Sequence, residues 1–212
     1  MTDDTKNRLL EAAGQIFSDK GFETATVREI CERAGANVAS VNYYFGDKQR
    51  LYNDAVRQAQ CVCVDQVPMP EWDPAMPAQE RLRSFIHTML SRMLYAERPA
   101  WHLGLMLREL ARPTAACAEV VEDYIRPMAE ELERILADLL PPDTARESAY
   151  LYGFSIVGQC LFYYVHRPIA ERLTGVDEYR NFSIDRLADH IANFSLAALG
   201  YGRPSAANST KG

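Results

Sequence analysis

Four absences in the 212-residue chain narrow what it can be. No run alternates apolar and polar residues in the manner of a half-buried strand, so the class read from the sequence is all-α. The longest apolar run, Phe154 to Val165, reaches only about half of the ~20 residues a membrane span needs, and Gln159 interrupts it. The start, MTDDTKNRLL, carries acids where a secretory signal would carry an apolar stretch. Five cysteines (31, 61, 63, 117 and 160) make an odd number with no disulfide-like spacing. These features predict a cytoplasmic protein with no membrane partner.

Catalytic and metal-binding signatures are missing too. A di-iron bundle needs Glu three residues before His. The residues at that offset from His87, His102, His166 and His190 are Ser84, Pro99, Tyr163 and Leu187. There is no H-E-x-x-H, no G-x-S-x-G and no phosphate-cradling glycine loop. The expectation is therefore no enzyme, no catalytic residue, no metal and no cofactor. Cys61-Val62-Cys63 lies two residues apart on a predicted helix, so the thiols do not share a face. They read as small hydrophobes, with a redox or metal role as the alternative.

What the chain does have is apolar content of 48%, ample for a sizeable core, and helical periodicity nearly throughout. The organising stretch is TATVREICERAGANVASVNYYFGDK, residues 24–48. Thr26 and Glu29 have the T-x-x-E spacing of a capping box. Val27, Ile30, Cys31 and Ala34 then make one apolar helical face. Gly35 supplies a left-handed stop, and Asn37 is a good N-cap for a second helix, Val38 to Tyr44. Two short helices around a glycine turn are the sequence form of a helix-turn-helix. Val38, Ala39 and Ser40 are small enough to let the second helix approach another surface closely. From spacing alone, a DNA-reading unit and a plain three-helix packing unit are both open.

The same run, with Thr26, Ile30, Ala34, Gly35, Val41, Tyr44, Phe45, Lys48 and Leu51, resembles the DNA-binding domain of TetR-family transcriptional regulators. The preceding helix from Arg8 through Phe17 to Gly21-Phe22 fits as well, so the resemblance covers about residues 5–57. Two positions depart from it. Ala36 stands where Val is usual, and Asn42 where the family often has a phosphate-binding Tyr. The resemblance implies a helix-turn-helix domain over residues 1–50, a ligand-binding and dimerisation domain over 51–202 and a flexible tail over 203–212. It implies a palindromic double-stranded DNA operator, a homodimer and a small-molecule effector that releases a repressor.

Expected base-edge contacts are Arg28, Val38, Ala39 and Ser40, and expected phosphate contacts are Thr26, Asn42, Tyr43, Tyr44 and Lys48, with Asn37 at the helix start. The charge balance opposes a strong non-specific component. The net charge is −6, and residues 1–58 hold eight Lys/Arg against nine Asp/Glu. Phosphate contact must then come from a few local cations and helix N-termini.

Beyond residue 48 the pattern predicts a long helix to about Val67, a proline-marked linker VPMPEWDPAMP, and helices over 78–97, 101–111 and 115–140, the last kinked at Pro127. Trp72 in the linker reads as a loop anchor rather than a pocket lid. Further helices are predicted at 144–166 and 184–199, with 169–182 irregular apart from a short turn as the alternative. The segments Arg108 to Thr114 and Tyr124 to Pro127 resemble one TetR subgroup with its own C-terminal domain. The helix 144–166 is apolar nearly all round, which asks for burial on more than one side.

Tyr150, Phe154, Val157, Leu161, Leu187, Ile191 and Phe194 are the expected dimer contacts, in a four-helix seam. Met93, Trp101, His102, Met106 and Tyr124 are the expected effector-pocket residues. Two rival readings remain open: a helical protein-interaction module without DNA binding, and an all-α enzyme.

Overall fold

The computed structural model describes residues 2–73, 75–94 and 99–202, and every regular element among them is helical. Side chains of residues 2, 3 and 61–63 are outside the description, so the question of Cys61 and Cys63 lies there, as does the expected tail 203–212. The chain forms two compact units, one of residues 1–65 with 97–127, the other of 66–96 with 128–212.

The first unit starts with α1 (Thr2–Lys20), α2 (Val27–Ala34), α3 (Val38–Tyr44) and most of α4 (Lys48–Gln66). It is completed by α6 (Ala100–Ala111), α7 (Ala115–Val120) and a wide π-type turn over Val121–Ile125. Phe17, Ile30, Val41, Leu51 and Leu105 are buried together at its centre. This division differs from the expected 1–50 and 51–202. The reason is packing: Leu51, Tyr52, Ala55 and Val56 of α4 are buried in the same core as α1 to α3, and so are Trp101, Leu105 and Met106 of α6. Gly14 makes the close approach of α1 to α6 feasible, since a Cβ there would run into the Trp101 ring.

Glycine ends two of these helices as expected. Gly21 (φ 80°) accepts its position after α1, and Gly35 (φ 59°, ψ 41°) closes α2 with its N–H on the Cys31 and Glu32 carbonyls. The π turn precedes Pro127, which lacks the N–H that an α-helix would direct at residue 123. Arg126 instead donates its N–H to the Val121 carbonyl, one residue further back than in an α-helix.

The second unit holds α5 (Ala78–Leu94), α8 (Arg126–Leu139, from Met128), α9 (Arg146–Val165), α10 (Arg167–Thr174), α11 (Val176–Tyr179) and α12 (Ile184–Ala198). Leu82, Phe85, Ile86, Ile135, Cys160 and Ile191 form its core. Trp72 packs against that core, as an anchor does. Residues 169–182 are not irregular: α10 and α11 occupy most of them. Pro168 sits in the first turn of α10, where a missing N–H costs nothing, and Arg167 and Glu171 pair one turn apart at 2.8 Å.

Candidate nucleic-acid interface

α2 is short, and its ends are fixed by side chains close in sequence. The Thr26 hydroxyl accepts from the Glu29 N–H (3.2 Å), and the Glu29 carboxylate accepts from the Thr26 N–H (3.1 Å). Lys20 also donates to Glu29 at 2.5 Å, and these contacts hold the Glu29 carboxyl below its usual range, Lys20 contributing most. Arg8 donates to the Ala34 carbonyl at 2.9 Å and so satisfies the far end of α2. The Asn37 side chain accepts from the Ala39 N–H at 3.0 Å and starts α3.

α3 is held by one side and bare on the other. Val41 and Phe45 are buried in the first core. Val38 (46% exposed) and Tyr43 (77%) project outward. Ala39 and Asn42 are exposed with them, while Ser40 and Tyr44 are half-buried. The Tyr43 and Tyr44 rings meet edge to face, 4.9 Å between centroids. The result is a helix of about two turns with small residues at its start and an aromatic hydroxyl at its end, a shape a major groove admits.

The cations around α3 are arranged less simply than the sequence suggests. Arg28 is exposed, and its guanidinium pairs with Glu32 at 2.9 Å. An exposed pair of this kind is worth ~0.3–0.5 kcal/mol, so a phosphate can replace the carboxylate cheaply. Lys48 is not a free projecting charge. Its ammonium lies 4.5 Å from the centre of the Phe22 ring and 3.4 Å from the Glu23 carbonyl. It braces the turn that leads into α2. Thr26 is likewise engaged, in the capping box. Two further exposed cations lie near α3. Lys6 on α1 sits 6.0 Å from the Phe45 ring at the end of α3, and the Arg50 guanidinium lies beside Gly46 in the α3–α4 turn. Only the tertiary fold brings Lys6 to that end, since 39 positions separate it from Phe45.

α6 grips this unit from behind. Arg108 donates from Nε to the Ser18 carbonyl (2.6 Å) and from Nη2 to the Asp19 carbonyl (2.5 Å), capping the end of α1. Glu109, next along, is 1% exposed. Its carboxylate accepts from the Tyr52 hydroxyl of α4 (2.6 Å), the Thr114 N–H (2.7 Å) and the Thr114 hydroxyl (2.8 Å). Burial, then the neighbouring carboxylate, drives the Tyr52 phenol well above its ordinary 10.0.

The expected effector residues are split. Met93 packs against the second core, whereas Trp101, His102, Met106 and Tyr124 belong to the first unit. Trp101 and Met106 are buried core residues there. His102 is 1% exposed, with its ring 4.0 Å from that of Trp101.

The expected dimer residues divide by burial. Leu187 and Ile191 are buried in the second unit's own core. Val157 and Leu161 are half-buried. Tyr150, Phe154 and Phe194 are exposed, Phe154 at 70%. The apolar pattern of α9 covers nearly its whole circumference and gives no sign of which side faces inward, whereas α12 carries Asp185, Arg186, Asp189 and His190 on its exposed side.

A capped helix pair with its second helix bared has the form of a helix-turn-helix, and the chain is a DNA-binding transcriptional regulator. Residues 9–55 match the family described as bacterial regulatory proteins, tetR family, and residues 78–199 match the C-terminal domain of the HTH-type transcriptional dual regulator CecR. CecR of Shigella flexneri is 30% identical over 166 residues, covering 74% of each chain. The repressor NicS of Pseudomonas putida is 27% identical over 183 residues, 82% of each chain. A solved transcriptional regulator from Rhodococcus sp. Rha1 shares the fold with TM-score 0.61, 18% identity and coverage of 95% and 98%. The chain therefore belongs to the TetR family. No helix among the described residues is long and apolar enough to cross a membrane.

Proposed function

We propose that this regulator works as a homodimeric repressor that holds a palindromic operator and lets go when a small-molecule effector binds. The observation that carries the reading is the solvent-facing surface of α3: Val38, Ala39, Asn42 and Tyr43 are exposed while Val41 and Phe45 anchor the helix. Arg28, Val38, Ala39 and Ser40 are assigned to base edges. Asn37, Asn42, Tyr43 and Tyr44 are assigned to the backbone, together with Lys48 and Thr26 once each gives up part of its present bonding. Lys6 and Arg50 join the phosphate contacts. Repression is supported by the name of NicS, a repressor, over 82% of both chains. The Shigella flexneri relative is named a dual regulator, and activation at some operators is the second reading.

Dimerisation uses the exposed side of α9 with the end of α12: Tyr150, Phe154 and Phe194, with Val157 and Leu161 at the margin. A two-fold dimer sets its two α3 helices about 34–36 Å apart, one turn of DNA, or a multiple of it. An effector shifts the equilibrium only by binding the releasing geometry better than the holding one. An effector that reaches Trp101, His102 or Met106 does so by displacing core packing, since all three are buried.

The test is a footprint and gel-shift titration on the DNA flanking the gene. Tyr43→Ala with Lys48→Ala should weaken binding to all sequences alike and lower the salt slope by about one. A circular-dichroism melt controls for loss of the Phe22–Lys48 brace. Unchanged binding in a folded double variant removes these assignments.

A further inference from the structure

Among the described residues, the second unit leaves three large apolar side chains uncovered between α9 and α12: Ile169 (53% exposed), Leu173 (79%) and Val176 (59%). We propose that α10 and α11 form an arm that closes over the second copy of this chain, with these three side chains as its contact. The proposal rests on the dimer reading above and extends it to a segment that reading does not use.

The arm is built to hold its shape. Ala170 is buried, anchoring α10 beneath Ile169. Gly175 (φ 85°, ψ 148°) turns the chain between α10 and α11. The Arg167 guanidinium lies 5.9 Å from the Tyr179 ring, and Tyr179 meets Phe182 at 5.3 Å, which packs on the second core. Two ion pairs lie within the arm, Arg167 with Glu171 at 2.8 Å and Arg180 with Asp177 at 2.9 Å. What lacks a neighbour is the apolar set.

Two observations select a second copy as the occupant. First, the exposed line of α9 runs on into α10. Leu151, Phe154, Gly158, Phe162, His166, Ile169 and Leu173 follow at steps of three and four, all exposed. Helical bonding persists through the bend at His166: its N–H donates to the Phe162 carbonyl (2.8 Å), and the Ala170 N–H donates to the His166 carbonyl (2.9 Å). A partner lying along α9 therefore meets α10 next. A Cβ at Gly158 would meet nothing within 4 Å, which leaves room for that partner's close approach.

Second, α12 adds little apolar surface beside α9. A stable interface takes about 20–30 residues a side. The first half of α12 exposes Asp185, Arg186, Asp189 and His190, leaving Phe194 as its one large exposed apolar side chain among the described residues. Ile169, Leu173 and Val176 extend the apolar surface of α9 in its place. A membrane surface fits poorly, because the arm carries three cations (Arg167, Arg172, Arg180) against three acids (Glu171, Asp177, Glu178).

The test is sedimentation equilibrium on the full chain and three variants: Leu173→Asp with Val176→Asp, the milder Leu173→Ala with Val176→Ala, and Phe154→Asp. The wild type should be a dimer at micromolar concentration and Phe154→Asp a monomer. The aspartate arm variant should raise the dimer dissociation constant about thirtyfold or more, and the alanine variant less, in the same direction. All substituted positions are exposed, so far-UV circular dichroism should be unchanged. A monomeric wild type overturns the dimer reading itself. A dimeric wild type disrupted by Phe154→Asp, with both arm variants within twofold of it, overturns the arm alone. Loss of a species larger than the dimer in the arm variants, with the dimer constant unchanged, also overturns it, because the arm then serves contacts between dimers.

Discussion

The Glu109 carboxylate gives the most demanding test of the packing that holds the DNA-binding helices. It accepts three hydrogen bonds, from Tyr52 at 2.6 Å and twice from Thr114 at 2.7 and 2.8 Å. Glu109→Ala leaves the Tyr52 hydroxyl, in a residue 2% exposed, without an acceptor. An orphaned buried donor costs about 1–3 kcal/mol, and the vacated volume adds to it. Thr114 is half-buried, so water can serve its donors and they add little. The expected loss is about 2–4 kcal/mol.

Tyr52→Phe removes one of three bonds to the carboxylate and should cost about 1.5–3 kcal/mol. The double variant leaves neither an orphaned hydroxyl nor an under-bonded carboxylate, so it should be more stable than the sum of the singles by at least ~1 kcal/mol. Urea unfolding followed by tryptophan fluorescence reads this directly. In a Trp72→Phe background the emission comes from Trp101, in the same core as Tyr52. Strict additivity, or a Glu109→Ala variant within ~0.5 kcal/mol of wild type, would refute the reasoning.

Two further outcomes follow from the same geometry. The Tyr52 phenol titrates above its ordinary 10.0 when folded, so its neutral form belongs to the folded state. The associated stability is complete below pH 10 and is lost as pH rises from there towards the folded value; Tyr52→Phe should flatten that alkaline decline in a pH series of urea midpoints. Gly14→Ala should cost about 1–3 kcal/mol by forcing Trp101 off α1, whereas Gly158→Ala, mid-helix and in open space, should raise the stability of a monomeric Phe154→Asp background by about 0.5–1 kcal/mol in urea unfolding.

Residues a few places apart settled much of this protein before any folding was considered. The capping box of Thr26 and Glu29, the left-handed Gly35 and the Asn37 cap each depend on backbone groups within four residues, so their spacing alone pointed to two helices and the turn between them. The helix-turn-helix form was legible for that reason, while its family was legible only through the resemblance carried by residues such as Thr26, Gly35, Tyr44, Phe45 and Lys48. The helices at 167–179 were not, because Pro168 reads as a stop unless it is known to fall in a first turn, where no N–H is needed.

What waited for the tertiary structure is whatever depends on distant partners. Leu187 and Phe194 look alike in an apolar helix, yet one fills the second core and the other faces solvent. Lys6 reaches the end of α3, Arg108 caps α1, and Glu109 receives Tyr52 from 57 positions away. The grouping of α6 with the DNA-binding helices is of the same kind. Periodicity states that a helix has an apolar face, but which surface covers that face is decided by shape and packing between elements the chain brings together only on folding.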